Sequence, residues 1–95
     1  PDSASIRAEL GQYLWRLDRR PETFALLDEA IALYPLESSL RVRKALFLAE
    51  SGRGSEATEA AREALRLAFT PLERRTAAKT LERLENAASE DARTR

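Results

Sequence analysis

Apolar residues recur along this chain at spacings of three and four, the pattern of amphipathic α-helices. In the segment 6–17 the stripe that predicts the packed face of a first helix consists of Ile6, Leu10, Tyr13, Leu14 and Leu17. Trp15 lies almost opposite that stripe, beside Ala8. We therefore expect Trp15 to lie outside the contact that holds the first two helices together.

The breaks between the apolar segments carry residues that begin or end helices. Pro21 suits the first turn of a second helix, and Pro35 ends that helix. Gly52 is placed as the left-handed residue that follows a third helix. Thr70-Pro71-Leu72-Glu73 combines a threonine cap, a proline at the first helical position and a glutamate that completes a capping box. The predicted helices cover residues 6–17, 21–34, 37–51, 55–68 and 71–88.

Two further features predict how these helices pack. The third helix is apolar around most of its circumference, as expected for a helix that packs on two sides. Gly11 lies inside the first helix, where glycine is less favourable than alanine by about 1 kcal/mol. We expect a steric reason, a close crossing of the partner helix at Gly11, with Ala45 filling the matching place one repeat later.

A shift of 34 residues brings the first two helices into register with the next two. The positions that agree in character at this spacing include Ile6 with Leu40, Ala8 with Val42, Gly11 with Ala45, Arg19 with Arg53, Glu22 with Glu56 and Ala30 with Ala64. A helix pair that recurs at this period is typical of a helical solenoid, in which each pair packs on its neighbours along the chain.

These positions resemble the tetratricopeptide-repeat family over about residues 4–88. The matching positions are Leu10-Gly11, Leu14, Leu27, Ala30 and Pro35 in the first repeat, and Ala45, Leu48, Gly52, Ala57 and Ala64 in the second. The departures are Arg7 in place of the family's tryptophan, Asp18 in place of its turn glycine, Lys44 in place of leucine and Phe69 in place of proline. The resemblance implies a concave groove lined by the first helix of each repeat.

The repeat and the resemblance together predict an all-α fold. We expect a right-handed helical solenoid, an α-α superhelix of about two and a half helix-turn-helix repeats with a C-terminal capping helix. Within a repeat domain over residues 1–88, the expected parts are repeat 1 at about 4–37, repeat 2 at about 38–70 and the capping helix at about 71–88. Residues 89–95 are expected to form a polar tail, because apolar residues become rare from Asn86 onwards.

The composition restricts the chemistry that this chain can perform. None of its 95 residues is histidine or cysteine, so the commonest general base, the thiol nucleophile and the strongest transition-metal ligands are absent. Its glycines form no phosphate-binding loop. We therefore expect no catalysis, no cofactor and no metal.

The charge and the apolar runs restrict its surroundings. Sixteen basic residues balance sixteen acidic ones, so no overall field attracts nucleic acid or an anionic membrane. No apolar run approaches the roughly 18 residues of a membrane span, and no signal-peptide core is visible. These features favour a cytoplasmic location without membrane insertion.

The resulting interpretation is a scaffold or adaptor that holds a peptide or helix of a partner protein in the concave groove. Trp15 is expected to act as an aromatic anchor, and Val42 and Leu46 as the apolar floor. The full set of predicted groove residues is Gln12, Trp15, Arg16, Val42, Arg43, Leu46, Thr80 and Arg83. Some family members clamp the acidic tails of chaperones, but Ala8, Gln12 and Arg43 at the groove positions do not match that clamp.

Several alternatives remain open from the sequence. Trp15, Val42 and Leu46 could pack against one another between repeats, or lie beneath a missing flanking repeat. A second alternative is a homodimer or assembly module, formed through an exposed outward side of the second helix that carries Phe24, Leu26, Leu33 and Tyr34. Because the chain begins at Pro1, a segment excised from a larger solenoid protein is also considered.

Nucleic-acid binding is the most distant alternative. It would use the basic residues of the last helix, which are Arg74, Arg75, Lys79 and Arg83. Glutamates are interleaved with these residues and no aromatic stacking partner accompanies them, which favours a solvated helix face.

Overall fold

The protein, described here from a computed structural model over residues 3–94, consists of five α-helices and no strand within that range. The helices are α1 (Ser3–Arg16), α2 (Arg20–Leu33), α3 (Ser38–Glu50), α4 (Gly54–Leu67) and α5 (Pro71–Thr94). The all-α prediction is therefore confirmed. Across the described residues, no helix combines the length and the apolar character that crossing a membrane requires.

The predicted start of the last helix is confirmed in atomic detail. Thr70 Oγ1 accepts a hydrogen bond from the Glu73 N–H at 3.1 Å, and Glu73 Oε1 accepts one from the Thr70 N–H at 2.9 Å. This reciprocal pair is a capping box. The other carboxylate oxygen of Glu73 accepts a hydrogen bond from Ser38 Oγ at 3.2 Å, which joins the N-terminal ends of α3 and α5.

The turns inside the two helix pairs have the same backbone geometry, 34 residues apart. Asp18 and Gly52 both have left-handed conformations, with φ of 60° and 77°. The next residues also agree, since φ and ψ are −101° and 64° at Arg19, and −100° and 61° at Arg53. Their N–H groups donate back to Leu14 O at 3.0 Å and to Leu48 O at 2.9 Å respectively. Both turns are therefore Schellman motifs. The 34-residue repeat seen in the sequence is thus also present in the backbone structure of these turns.

Helix α3 packs against all four other helices. Pairs α1–α2 and α4–α5 each pack internally, but among the described residues the backbones of α1 and α2 do not approach those of α4 and α5. The molecule measures 45 × 33 × 17 Å, and its shortest dimension accommodates two layers of helices. The pair α1–α2 and the pair α4–α5 therefore lie on opposite sides of α3.

Two apolar clusters lie on either side of α3. The first joins α1, α2 and α3 through buried Ala4, Ala8, Leu27, Ala30, Leu40 and Phe47. The second joins α3, α4 and α5 through Val42, Ala64 and Ala77. The prediction that α3 packs on two sides is confirmed, and the small residues of α1 and α4 allow the helices to approach closely.

The predicted packing face of α1 is wrong. Ile6, Leu10, Tyr13 and Leu17 point to solvent and are 56, 48, 58 and 51% exposed. The opposite face, with Ala4, Ala8, Gly11 and Trp15, packs on the rest of the molecule. The physical reason is that α2 approaches α1 on the side where the α1 side chains are small, which leaves the larger apolar stripe outside.

The expected exposed side of α2 is also wrong in part. Phe24 and Tyr34 pack against the first apolar cluster, whereas Leu33 is exposed. Leu26 is of intermediate exposure, so only part of the expected side of α2 is open to solvent.

The steric explanation for Gly11 is wrong as well. A Cβ atom at this position would lie 3.6 Å from Leu27 Cδ2 and 3.7 Å from Leu27 Cγ, which is ordinary van der Waals contact. Alanine would therefore fit at this position, as Ala45 does one repeat later.

The last helix is longer than expected. Helix α5 continues to Thr94, so it extends beyond the capping helix expected at 71–88 and includes most of the expected polar tail. Every residue from Glu85 to Arg93 is exposed. Arg95, at the end of that tail, lies outside the described residues, as do Pro1 and Asp2 at the start of the predicted repeat domain.

Candidate functional site

A shallow cleft of about 310 Å³ lies along α3, between α1 and α5. Four of the predicted groove residues line it, which are Gln12, Val42, Arg43 and Leu46. Its other lining residues are Ser39, Phe47, Glu50 and Thr76. Leu46 is 37% exposed, so it provides accessible apolar surface, while Val42 is largely buried beneath it.

One face of α3 supplies most of this cleft. Ser39, Arg43, Leu46 and Glu50 follow one another at spacings of four, three and four, which places them on one side of the helix. The predicted groove set lacks four of the lining residues, which are Ser39, Phe47, Glu50 and Thr76. The spacing of the polar residues around Leu46 is the signal that identifies Ser39 and Glu50, since all three lie on one side of α3.

The two charged side chains at the edges of the cleft both form hydrogen bonds with side chains of α1. Arg43 donates from Nη1 to Gln12 Oε1 at 3.2 Å. Glu50 Oε2 accepts a hydrogen bond from Trp15 Nε1 at 2.8 Å. The two polar contacts therefore fix the position of α1 relative to α3 on either side of Leu46.

Trp15 is half-buried and makes contacts on several sides. Its ring stacks on Phe47, with the centroids 4.4 Å apart and an interplanar angle of 26°, and meets Phe24 edge-on at 6.0 Å. The Arg20 guanidinium lies 4.5 Å from the Trp15 ring centroid. Trp15 therefore packs where α1, α2 and α3 meet. It is not among the residues that line the cleft.

The remaining predicted groove residues do not lie with the others. Thr80 is buried and donates its hydroxyl to Thr76 O at 2.8 Å. Arg83 lines a different, mixed-charge surface on α5, together with Lys79 and Glu82. Arg16 is exposed and is not part of the cleft lining. On the α5 side, Thr76 is the residue that reaches the cleft.

The basic residues of α5 do not form a separate positive surface. Arg74, Arg75, Lys79 and Arg83 are exposed, and Lys79 and Arg83 border Glu82 and Glu90. Arg62 of α4 pairs with Glu85 of α5 at 3.7 Å. Within residues 3–94, no group of three or more acidic, histidine or cysteine side chains is placed to hold a metal ion.

A larger open cleft of about 830 Å³ separates the start of α4 from the C-terminal half of α5. Its walls include Thr58, Arg62, Leu84 and Ala88. No site was expected here from the sequence, although Leu84 and Ala88 lie within the predicted last helix.

Comparison of this chain with protein-family models, with curated proteins and with solved structures finds no match.

Proposed function

We propose that this chain is a non-catalytic, tetratricopeptide-like helical-repeat module that binds a short segment of a partner protein along the cleft on α3. The stack is a right-handed solenoid of two helix pairs, α1–α2 and α3–α4, with α5 as the capping helix. The similar turn geometry at Asp18 and Gly52 supports this arrangement, as does the separation of the two ends of the molecule by α3.

The observation that carries the binding proposal is the exposed Leu46 side chain between two fixed polar edges. An apolar anchor from a partner would cover Leu46 and the adjoining surface of Phe47. Arg43 and Glu50 would meet polar groups of the partner's backbone or side chains. Such a shallow, partly apolar cleft suits an extended or helical peptide with one or two apolar anchors.

The structure changes the roles proposed for individual residues. Leu46, Arg43, Gln12 and Thr76 are the proposed contact residues. Trp15 acts indirectly, because its hydrogen bond to Glu50 and its stacking on Phe47 hold one edge of the cleft in place.

The experiment is a selection of displayed random peptides on the wild-type protein, followed by measurement of each peptide's affinity for two variants. Leu46→Glu places a charge on the cleft floor and should weaken the selected peptides at least tenfold. Leu33→Glu changes a more exposed leucine on α2, outside the cleft, and should leave their affinity unchanged. Peptides that bind both variants equally well would show that the cleft is not the binding site.

A further inference from the structure

The outward face of α1 carries an apolar patch with no covering element among the described residues. This patch, here called the α1 face, consists of Ile6, Leu10, Tyr13 and Leu17, each about half exposed. Side chains of this size have accessible surfaces on the order of 150–200 Å², so the patch presents roughly 350 Å². Contiguous apolar patches of about 300–600 Å² on a monomer are often functional.

The repeat itself identifies the α1 face as a surface of the kind that packs on helices. The residues 34 positions after Ile6 and Tyr13 are Leu40 and Phe47, and both are buried against the first helix pair. In α3 this face is covered by α1 and α2, whereas in α1 nothing in residues 3–94 covers it. At Ile6 and Tyr13 the α1 face is therefore equivalent to an internal helix-docking surface of the same chain, whereas the residues 34 positions after Leu10 and Leu17 are the polar Lys44 and Ser51.

The order of residues on the α1 face makes it complementary to itself. If two copies of α1 lie antiparallel about a two-fold axis midway along the patch, Ile6 of one copy meets Leu17 of the second, and Leu10 meets Tyr13. The same contacts occur twice, as a two-fold interface requires.

The charges beside the α1 face favour the same orientation. Glu9 and Arg16 are seven residues apart and lie along one edge of the patch, both exposed. Neither forms an ion pair or a hydrogen bond through its side chain within the described part of the chain. Antiparallel packing brings Glu9 of each copy towards Arg16 of the other, whereas in a parallel two-fold pair this edge faces the opposite edge of the partner helix, so Glu9 and Arg16 gain no such contact.

We propose that the α1 face is a homodimer interface, in which two copies of this chain pack through antiparallel α1 helices. The interface is small, since the two patches together supply roughly 700 Å² of apolar surface, below the roughly 1,200 Å² of a standard interface. The dimer is therefore weak and forms reversibly as concentration rises. It leaves the cleft on α3 free, so the proposal does not depend on peptide binding there.

Sedimentation equilibrium of the 95-residue chain, from roughly 1 μM to 1 mM, tests for the dimer. The wild-type protein should pass from monomer to dimer across this range. Leu10→Glu places a charge at the centre of the α1 face and should keep the protein monomeric throughout. Leu72→Glu changes an exposed leucine on α5, which does not contact α1, and should leave the dimer unaffected. Circular dichroism should show that both variants keep their helix content.

Charge reversal then tests the orientation. Glu9→Arg or Arg16→Glu alone should raise the dissociation constant about tenfold at low salt, because each creates two repulsive contacts across the two-fold axis. The combination of both substitutions in one chain restores opposite charges and should return the constant to near the wild-type value.

Three results would overturn the proposal. A wild-type protein that remains monomeric at every concentration would show that the α1 face does not bind a second copy of this chain. A dimer that survives Leu10→Glu would use a different surface. A charge-reversed double variant as weak as the single variants would exclude the antiparallel arrangement.

Discussion

Trp15→Ala should destabilise the protein far more than Tyr13→Ala, although the two aromatic residues lie two positions apart on α1. Trp15 faces inward, stacks on Phe47 and meets Phe24 edge-on. Tyr13 faces outward and is 58% exposed. The apolar periodicity of the sequence predicts the opposite order, so this comparison is a direct test of which face of α1 packs on the molecule.

The expected magnitude follows from the contacts of the indole ring. Truncation of a well-packed core tryptophan to alanine costs about 3–5 kcal/mol, and each aromatic pair contributes about 0.5–1.5 kcal/mol to such a value. Trp15 is only half-buried, and its contacts with Arg20 and Glu50 lie near solvent. A loss of about 3 kcal/mol is therefore expected, which corresponds to a fall in Tm of roughly 12–24 °C for a domain of this size. Tyr13→Ala should cost less than about 1 kcal/mol.

The assay is urea denaturation followed by far-UV circular dichroism. Trp15 is the only tryptophan, so its fluorescence cannot serve for the variant that removes it. The protein concentration is kept low, so that the monomer is measured in each case. Trp15→Phe is a second control, since it keeps an aromatic ring beside Phe47 while it removes the indole donor to Glu50. It should lose less than half as much stability as Trp15→Ala.

The reasoning would be refuted if Trp15→Ala cost less than about 1 kcal/mol while Tyr13→Ala cost more than about 2 kcal/mol. That result would mean that the large apolar stripe packs inward, as the periodicity alone suggests. The α1 face would then be buried, and the dimer proposal would lose its surface.

Two further predictions concern local features. Gly11→Ala should raise the free energy of unfolding by about 0.5–1 kcal/mol in the same urea assay, because the added methyl group meets Leu27 at ordinary contact distance and alanine is the better helix former; a decrease would indicate that α2 crosses too closely. The backbone and hydroxyl hydrogen bonds of Thr70 lower the pKa of Glu73 from its ordinary value of 4.5. A lowered pKa in the folded state adds stability above pH 4.5 that is lost as the pH falls through the lowered value, so Glu73→Gln should flatten the acid side of the curve of urea midpoint against pH. An acid side that stays as steep as in the wild-type protein would contradict the proposed role of the cap.

Much of the helical framework could be predicted from the sequence because local residues determine it. Pro71, with Thr70 and Glu73 around it, specifies a helix start by hydrogen bonds within four residues. Gly52 specifies a left-handed turn in the same local way. The end of α5 was missed because the apolar residues that identify a packed helix stop well before Thr94, although the helix itself continues.

The face of α1 could not be read from its own periodicity, because packing depends on what the neighbouring helix can approach. Ala4 and Ala8 contribute little to an apolar stripe, yet small side chains let α2 and α3 come close. The register of 34 residues contained the missing information. The residue 34 positions after Tyr13 is Phe47, which packs on the helix pair that precedes α3. Within the described residues no helix pair precedes α1, so Tyr13 has no such partner.

The cleft was only partly predictable for a related reason. Leu46 and Arg43 could be placed from the wheel of α3 alone, since both lie on one face of a single helix. Thr80 and Trp15 could not, because their surroundings depend on how α5 and α1 rotate against α3. Thr80 turns inward and Trp15 is stacked on Phe47, so neither remains available as a cleft side chain.

The position of α3 has a consequence for communication across the molecule. Among the described residues, α3 (Ser38–Glu50) is the one helix whose backbone packs against both ends of the molecule. A peptide held against Leu46 would lie on this helix. Arg53 also links the two ends, because its guanidinium lies 5.3 Å from the Phe24 ring centroid and pairs with Glu56. Coupling between the two ends would therefore travel as a shift or a rotation of one short helix and through this one side chain.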